Sequence, residues 1–286
     1  MTNRRDFLRT ATAFTAGSAF IPSLISCQPE KKIIGLQLYT VRDKINADLN
    51  STLEKLAQIG YNSLEAAGYN MNDSTFYGMA PDAFASLTKG MGMTLHASHT
   101  VYELDGAEKV SEDAAKAGVE YLIYPYLPDN LRENLDGYKA TAEKFNKMGE
   151  IAQKYGLKFG YHNHAFEFEE MEGQIPMDLL ISQTDPALVT YEIDLYWVTR
   201  GGYDPVDYFR KYPGRFELWH VKDMVTTDDM FFAPVGHGRI DFEKIFAEKA
   251  AAGMKYFFVE QDRFRDLDPF ESVELSFNYL NQAKFV

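Results

Sequence analysis

From residue 31 onward the sequence predicts an α/β protein, a (β/α)8 TIM barrel. Eight short β-branched or aromatic runs alternate with longer amphipathic stretches, the pattern of βα units around a parallel sheet. No GxGxxG or Walker-type loop follows the first run, which disfavours an open doubly wound sheet. No linker or shift in composition divides residues 31–286, so one barrel domain is the economical reading.

The strand signals fall at 33–41, 63–67, 94–99, 121–126, 158–164, 189–197, 216–222 and 256–261. Helical periodicity runs through 49–59, 81–91, 107–117, 138–155, 241–252 and 268–281. Pro81, Pro205 and Pro269 stand where a first helical turn tolerates proline, because that N–H has no intrahelical partner. Gly60, Gly118, Gly156 and Gly253 stand where a left-handed cap ends a helix.

Of the 286 residues 45% are hydrophobic and 25% charged, which excludes a disordered chain and a multi-span membrane protein. The net charge of −13 repels polyanions, so nucleic acid is not an expected partner. The single cysteine, Cys27, excludes a disulfide framework, a CxxC zinc site and a Cys-rich iron–sulfur site. Residues 1–30 read as a separate signal segment. Arg4-Arg5 before a mostly apolar stretch resembles a twin-arginine export signal, and Leu24-Ile25-Ser26-Cys27 resembles a lipobox. The apolar stretch is shorter than the roughly 20 residues of a stable transmembrane helix. The expectation is therefore an exported protein, periplasmic or lipid-anchored at Cys27; a free cysteine in a signal cleaved elsewhere is the alternative.

In such a barrel chemistry sits where strands end. The titratable residues there are Glu65, His96, His99, His162, His164, Glu192, Asp194, His220, Lys222, Asp223, Glu260 and Asp262. Five of the six histidines fall in three of these strand ends, and His237 sits in a Gly-rich loop after the seventh strand. So many histidines and carboxylates at one mouth favour a metal or acid/base site over isolated structural roles. Asp194, His220 and Glu260 lie on three successive strands, each after an apolar residue, and period-2 alternation puts Glu192 with Asp194, His162 with His164 and His220 with Lys222 on shared faces. Mixed imidazole and carboxylate donors suit Mn²⁺, Zn²⁺, Co²⁺ or Fe²⁺, and all-oxygen Mg²⁺ or Ca²⁺ sites less well.

Segments 34–42 (IGLQLYTVR), 160–168 (GYHNHAFEF), Ile193-Asp194, 220–223 (HVKD), 236–242 (GHGRIDF) and 258–260 (FVE) resemble the xylose isomerase-like TIM-barrel superfamily. This is the sugar phosphate isomerase/epimerase group, which also includes inosose dehydratase-like and endonuclease IV-like barrels. The resemblance implies one divalent ion, with Mn²⁺, Zn²⁺, Co²⁺ and Mg²⁺ as candidates. In the epimerase branch a Glu, Asp, His, Glu set from strands five to eight holds it. Asp194, His220 and Glu260 match the last three places. Strand five carries His162 where that pattern has glutamate, with Glu167 five residues on; His162 is preferred because it stays on the strand. Glu260 is the expected acid/base group, with Glu167, His164 and Lys222 as candidate catalytic partners. Glu65, His99, Tyr39, Trp197, His237 and Arg239 are candidate substrate contacts.

The implied activity is isomerisation or epimerisation of a sugar by proton abstraction alpha to a carbonyl, through an enediolate. Loss of a β-substituent from the same intermediate would make it a lyase or dehydratase, and a non-catalytic sugar-binding barrel is the third reading. A nuclease is disfavoured by the acidic charge. Arg239 and Lys222 are the nearby cations, and Lys222 is expected to pair with Asp223. With the export signal, this suggests a non-phosphorylated sugar, keto-sugar or glycoside.

Overall fold

The computed structural model describes residues 32–286. The arginine pair, the apolar stretch and Cys27 lie outside the described residues. Eight parallel strands close a barrel: β1 (Gly35–Gln37), β2 (Ser63–Ala66), β3 (Thr94–His99), β4 (Tyr121–Tyr124), β5 (Lys158–His162), β6 (Val189–Asp194), β7 (Leu218–Val221) and β8 (Tyr256–Val259). Each pairs with its sequence neighbours, and β8 closes on β1 through Gly35 opposite Phe258.

The main outer helices are α1 (Leu49–Ile59), α2 (Pro81–Gly90), α3 (Ala107–Lys116), α4 (Leu135–Lys154), α5 (Pro176–Gln183), α6 (Pro205–Lys211), α7 (Phe242–Phe246) and α8 (Pro269–Gln282). Local chemistry sets their ends. Pro81, Pro205 and Pro269 occupy first-turn positions, and Asp268 with Glu271 forms a capping box at α8. Gly60, Gly118, Gly156 and Gly253 all have positive φ after a helix, as expected.

Seven of the eight strands end before the predicted residue, β1 and β6 by the most. β1 stops at Gln37 because its side chain accepts the Tyr39 N–H and tightens Leu38–Val41 into a 3-10 turn. β6 stops at Asp194, whose carboxylate accepts the Trp197 N–H and caps the short helix Leu195–Arg200. β5 stops at His162, and the chain turns through Asn163. The caps win over β propensity because they satisfy N–H groups that a turning chain leaves without partners.

Inside the barrel, Ala97, Tyr121, Ile123, Leu218 and Phe258 form an apolar plug. A Cβ on Gly35 would come 2.5 Å from the Phe258 ring, so glycine makes room for that ring at the closing seam. Truncating Phe258 to alanine would cost about 3–5 kcal/mol. Above this floor the interior turns polar. His96 belongs to the opposite end: its ring stacks on Tyr256 at the start of β8, and Nδ1 lies 2.8 Å from Glu120. It does not join the histidines of the mouth.

Candidate active site

The parallel registers bring distant residues to one level. His162 pairs with Glu192 across β5 and β6, Asp194 with His220 across β6 and β7, and Gln37 with Glu65 across β1 and β2. The result is a buried cluster in which Glu65, Glu192, Asp194 and His220 are fully enclosed and His162 and Glu260 nearly so. His162, Asp194, His220 and Glu260 each offer a ligand atom, all within 4.8 Å of one another. The backbone N–H of Asp194 donates to Asn163 Oδ1 at 3.0 Å, which ties the end of β6 to the turn after β5.

Electrostatics sharpen the picture. Burial pushes the Asp194 carboxyl up to about 6 despite Lys222 and His220. Burial and the Glu192 charge push Glu65 up to about 7. Burial also opposes the charged form of His220, but Glu192, Glu260 and Glu65 outweigh it and hold that imidazole well above its ordinary value. His162 is held well below by burial and by His220 and His99. At Glu260, burial favours the neutral acid, yet Lys222 and His220 prevail and keep it an anion.

Lys222, buried, stands 2.6 Å from Glu260, 2.9 Å from Asp194 and 3.0 Å from Asp262. The expected pairing with Asp223 is therefore corrected. Asp223 accepts the N–H groups of Met224, Gly236, Gly238 and Ile240, and so folds the Gly-rich loop onto itself. A Cβ on Gly238 would strike the Asp223 carboxylate, which is why that loop needs glycine.

Several buried polar atoms lack hydrogen-bond partners: Glu65 Oε1, His162 Nδ1, Glu192 Oε1 and Asp194 Oδ2. Asp194 Oδ2 remains without one although Lys222 Nζ is 2.9 Å away. Orphaned buried oxygen and nitrogen donors on rigid strand ends are what a divalent cation would satisfy, so the residues fit a metal.

Above the cluster lie two cavities, of about 670 and 440 Å³, that share Tyr39 and His164. Trp197, Tyr196, Phe231 and Phe232 wall the larger one, and His99 and His162 line the smaller. Tyr39 and Trp197 thus line the mouth cavities. His164 reaches both cavities, and burial with the Lys222 charge pushes its pKa down to about 3, so it is a neutral imidazole there.

Four expectations change. Glu167 is not at the mouth: fully buried, it accepts hydrogen bonds from Tyr161 Oη and, at 2.9 Å, from the His164 N–H, and so supports the β5 turn. The strand-five residue that offers a ligand atom beside Asp194, His220 and Glu260 is His162. Glu65 is not a cavity contact; it lies 2.6 Å from His220 Nε2 beneath the mouth. Exposed His237 and Arg239 line neither mouth cavity, and the Arg239 guanidinium turns to Met224 Sδ. The cations of the larger cavity are Arg42, Arg200 and Arg263 instead. Glu192 shares the inner face with Asp194, as period-2 alternation predicts, and there it meets His99 and His220, a role that the sequence does not assign.

A family model of the xylose isomerase-like TIM barrel matches residues 53–282. A sugar phosphate isomerase/epimerase crystal structure from Parabacteroides distasonis superposes with a TM-score of 0.82 at 30% identity, covering 91% of this chain and 97% of that one. The IOLI protein with a bound zinc atom shares the fold, with a TM-score of 0.67 at 14% identity, covering 89% of this chain and 99% of that one. Among curated proteins, the inosose dehydratase of Geobacillus kaustophilus is 31% identical over 128 residues, 39% of this chain and 41% of that protein. That of Bacillus licheniformis is 27% identical over 179 residues, 55% and 56% of the two chains. The chain thus spans about half or less of these curated relatives.

Proposed function

The chain belongs to the xylose isomerase-like TIM-barrel family, and from that premise we propose that it is a divalent-metal-dependent sugar isomerase or epimerase that moves a proton alpha to a carbonyl. The observation that carries the reading is the convergence of His162, Asp194, His220 and Glu260 from four consecutive strands, with orphaned donor atoms among them. These four residues would hold the ion. A bound divalent cation supplies Lewis-acid polarisation of a substrate carbonyl or hydroxyl.

The chain's own groups do the rest. Glu260, kept anionic by Lys222 and His220, takes the proton from the carbon next to the carbonyl. The Lys222 ammonium faces that carboxylate and compensates charge as it shifts onto oxygen. His164, neutral and at the junction of the two cavities, is placed to exchange a proton with a substrate hydroxyl. Trp197 and Tyr39 offer faces for a sugar ring, and the aromatic wall sheds water from the reacting carbon.

A dehydratase is the second reading, favoured by Glu167. An epimerase pattern with paired carboxylates needs a second one beside the substrate, and Glu167 is committed to Tyr161 and His164. Glu260 then works with a cationic or neutral partner, which also suits departure of a β-hydroxyl. Arg42 is engaged by the Tyr39 and Asp262 carbonyls and Arg200 by Tyr196 and Met230, while Asp229 and Asp262 share the wall with Arg263. This balance supports a non-phosphorylated sugar, keto-sugar or glycoside, in line with export to the periplasm or a lipid anchor at Cys27.

The test is NMR of a panel of keto-sugars and glycosides incubated with the metal-loaded protein in D2O. Deuterium at the carbon alpha to the carbonyl in an isomeric product supports the first reading, and an unsaturated product the second. Absence of both across phosphorylated and non-phosphorylated panels contradicts proton abstraction.

A further inference from the structure

His162 and His220 each turn their two ring nitrogens to two different sets of carboxylates. His220 Nδ1 faces Glu260 at 2.8 Å, while its Nε2 lies 2.6 Å from Glu65 and 3.1 Å from Glu192. His162 Nε2 faces Asp194 at 3.7 Å, and its Nδ1 faces Glu192 at 3.3 Å. On the Glu192 side a third imidazole joins: His99 Nε2 lies 2.5 Å from Glu192 and 3.4 Å from Glu65. The three rings stand 4.4–5.0 Å apart, centroid to centroid.

We propose that the barrel holds a second divalent-cation position, deeper than the first, formed by His99, His162, Glu192 and His220 with Glu65 beside them. It rests on the reading that the mouth takes divalent metal, and it adds an ion position that the matched ligand set does not include. These four residues present ligand atoms within 4.8 Å of one another. Glu65 Oε1, Glu192 Oε1 and His162 Nδ1 are buried there without hydrogen-bond partners.

Charge separates the two positions. Lys222 already compensates Asp194 and Glu260 in the outer set. Among the described residues no lysine or arginine pairs with Glu65 or Glu192; imidazoles alone face them. Two enclosed carboxylates without a lysine or arginine depend on ring protonation for their balance, and a divalent ion among the three imidazoles supplies that charge in its place. His162 and His220 would each offer one ring nitrogen to the inner position and the other to the outer one, and a ring that served both would give up its N–H proton to solvent. When only the inner one is filled, the outer nitrogens of His162 and His220 remain free.

The test is anomalous diffraction from crystals of the full wild-type protein soaked in ZnCl2 or MnCl2, collected on both sides of the metal edge. A peak among His99, His162, Glu192 and His220, alone or with a second peak near Asp194 and Glu260, bears the proposal out. A peak only near Asp194 and Glu260 overturns it and leaves the proposed function standing; no peak at either place overturns both. Zinc binding by His99→Ala and Asp194→Ala gives a second readout in solution. The proposal expects His99→Ala to lose one ion per chain, or at least tenfold in affinity, with wild-type circular dichroism; an unchanged His99→Ala contradicts it.

Discussion

Lys222 Nζ stands 2.6 Å from Glu260 Oε2, both groups buried, and the same ammonium reaches Asp194 and Asp262. One cation thus compensates three carboxylates. Lys222→Met should lower the stability of the metal-free protein by about 3–5 kcal/mol, because it strands buried charge. Mn²⁺ should restore more of that loss than it adds to wild type. Urea titrations with and without Mn²⁺ check this, and equal metal increments in the two proteins would contradict it.

Glu260→Gln should cut turnover by about 10²–10⁴-fold while moving stability by no more than about 1 kcal/mol. Lys222 keeps Asp194 and Asp262 as partners in that variant, so the fold retains its charge balance. A fall in melting temperature that accounts for the lost activity would assign Glu260 a structural role.

Glu167 gives a pH signature. Burial, against the hydrogen bonds from Tyr161 and His164, pushes its pKa up from 4.5 to about 7. The folded state therefore holds this proton more tightly than the unfolded chain. The associated stability is complete below about pH 4.5 and is lost as pH rises through about 7, a change of order 3 kcal/mol at 1.36 kcal/mol per pKa unit. Glu167→Gln should flatten the pH dependence of stability in that window and leave metal content unchanged. An unchanged slope, or loss of metal, would return Glu167 to the mouth.

Trp197→Ala should raise KM about tenfold or more with a smaller change in kcat, since the ring stands on the cavity wall. A selective loss of kcat would place the indole in the chemistry instead.

Much of this was legible from residue pattern alone. The eight strands, the prolines of three helices and the caps at Gly118, Gly156 and Gly253 follow from local chemistry. So does the alignment of Asp194, His220 and Glu260, because each follows an apolar residue at a strand end. Side-chain commitments across the chain were not legible. Nothing local tells that Glu167 bends back to Tyr161 Oη, that Asp223 gathers four loop N–H groups, or that Lys222 spans to Asp262. Glu65 and Glu192 meet His220 only once the barrel closes and sets its registers. His96 misled because it lies three residues before His99 on the same strand, and three steps along a strand carry it toward the other rim.

The central claim is that Asp194, with His162, His220 and Glu260, holds a divalent cation on which proton transfer depends. The most direct measurement is elemental analysis of gel-filtered wild type and Asp194→Ala, each assayed in parallel for deuterium uptake from D2O at the carbon alpha to a keto-sugar carbonyl. Wild type should retain the metal and exchange; Asp194→Ala should hold at least one ion fewer per chain and exchange at least 10²-fold more slowly. Wild-type metal content and wild-type exchange in Asp194→Ala would contradict the account.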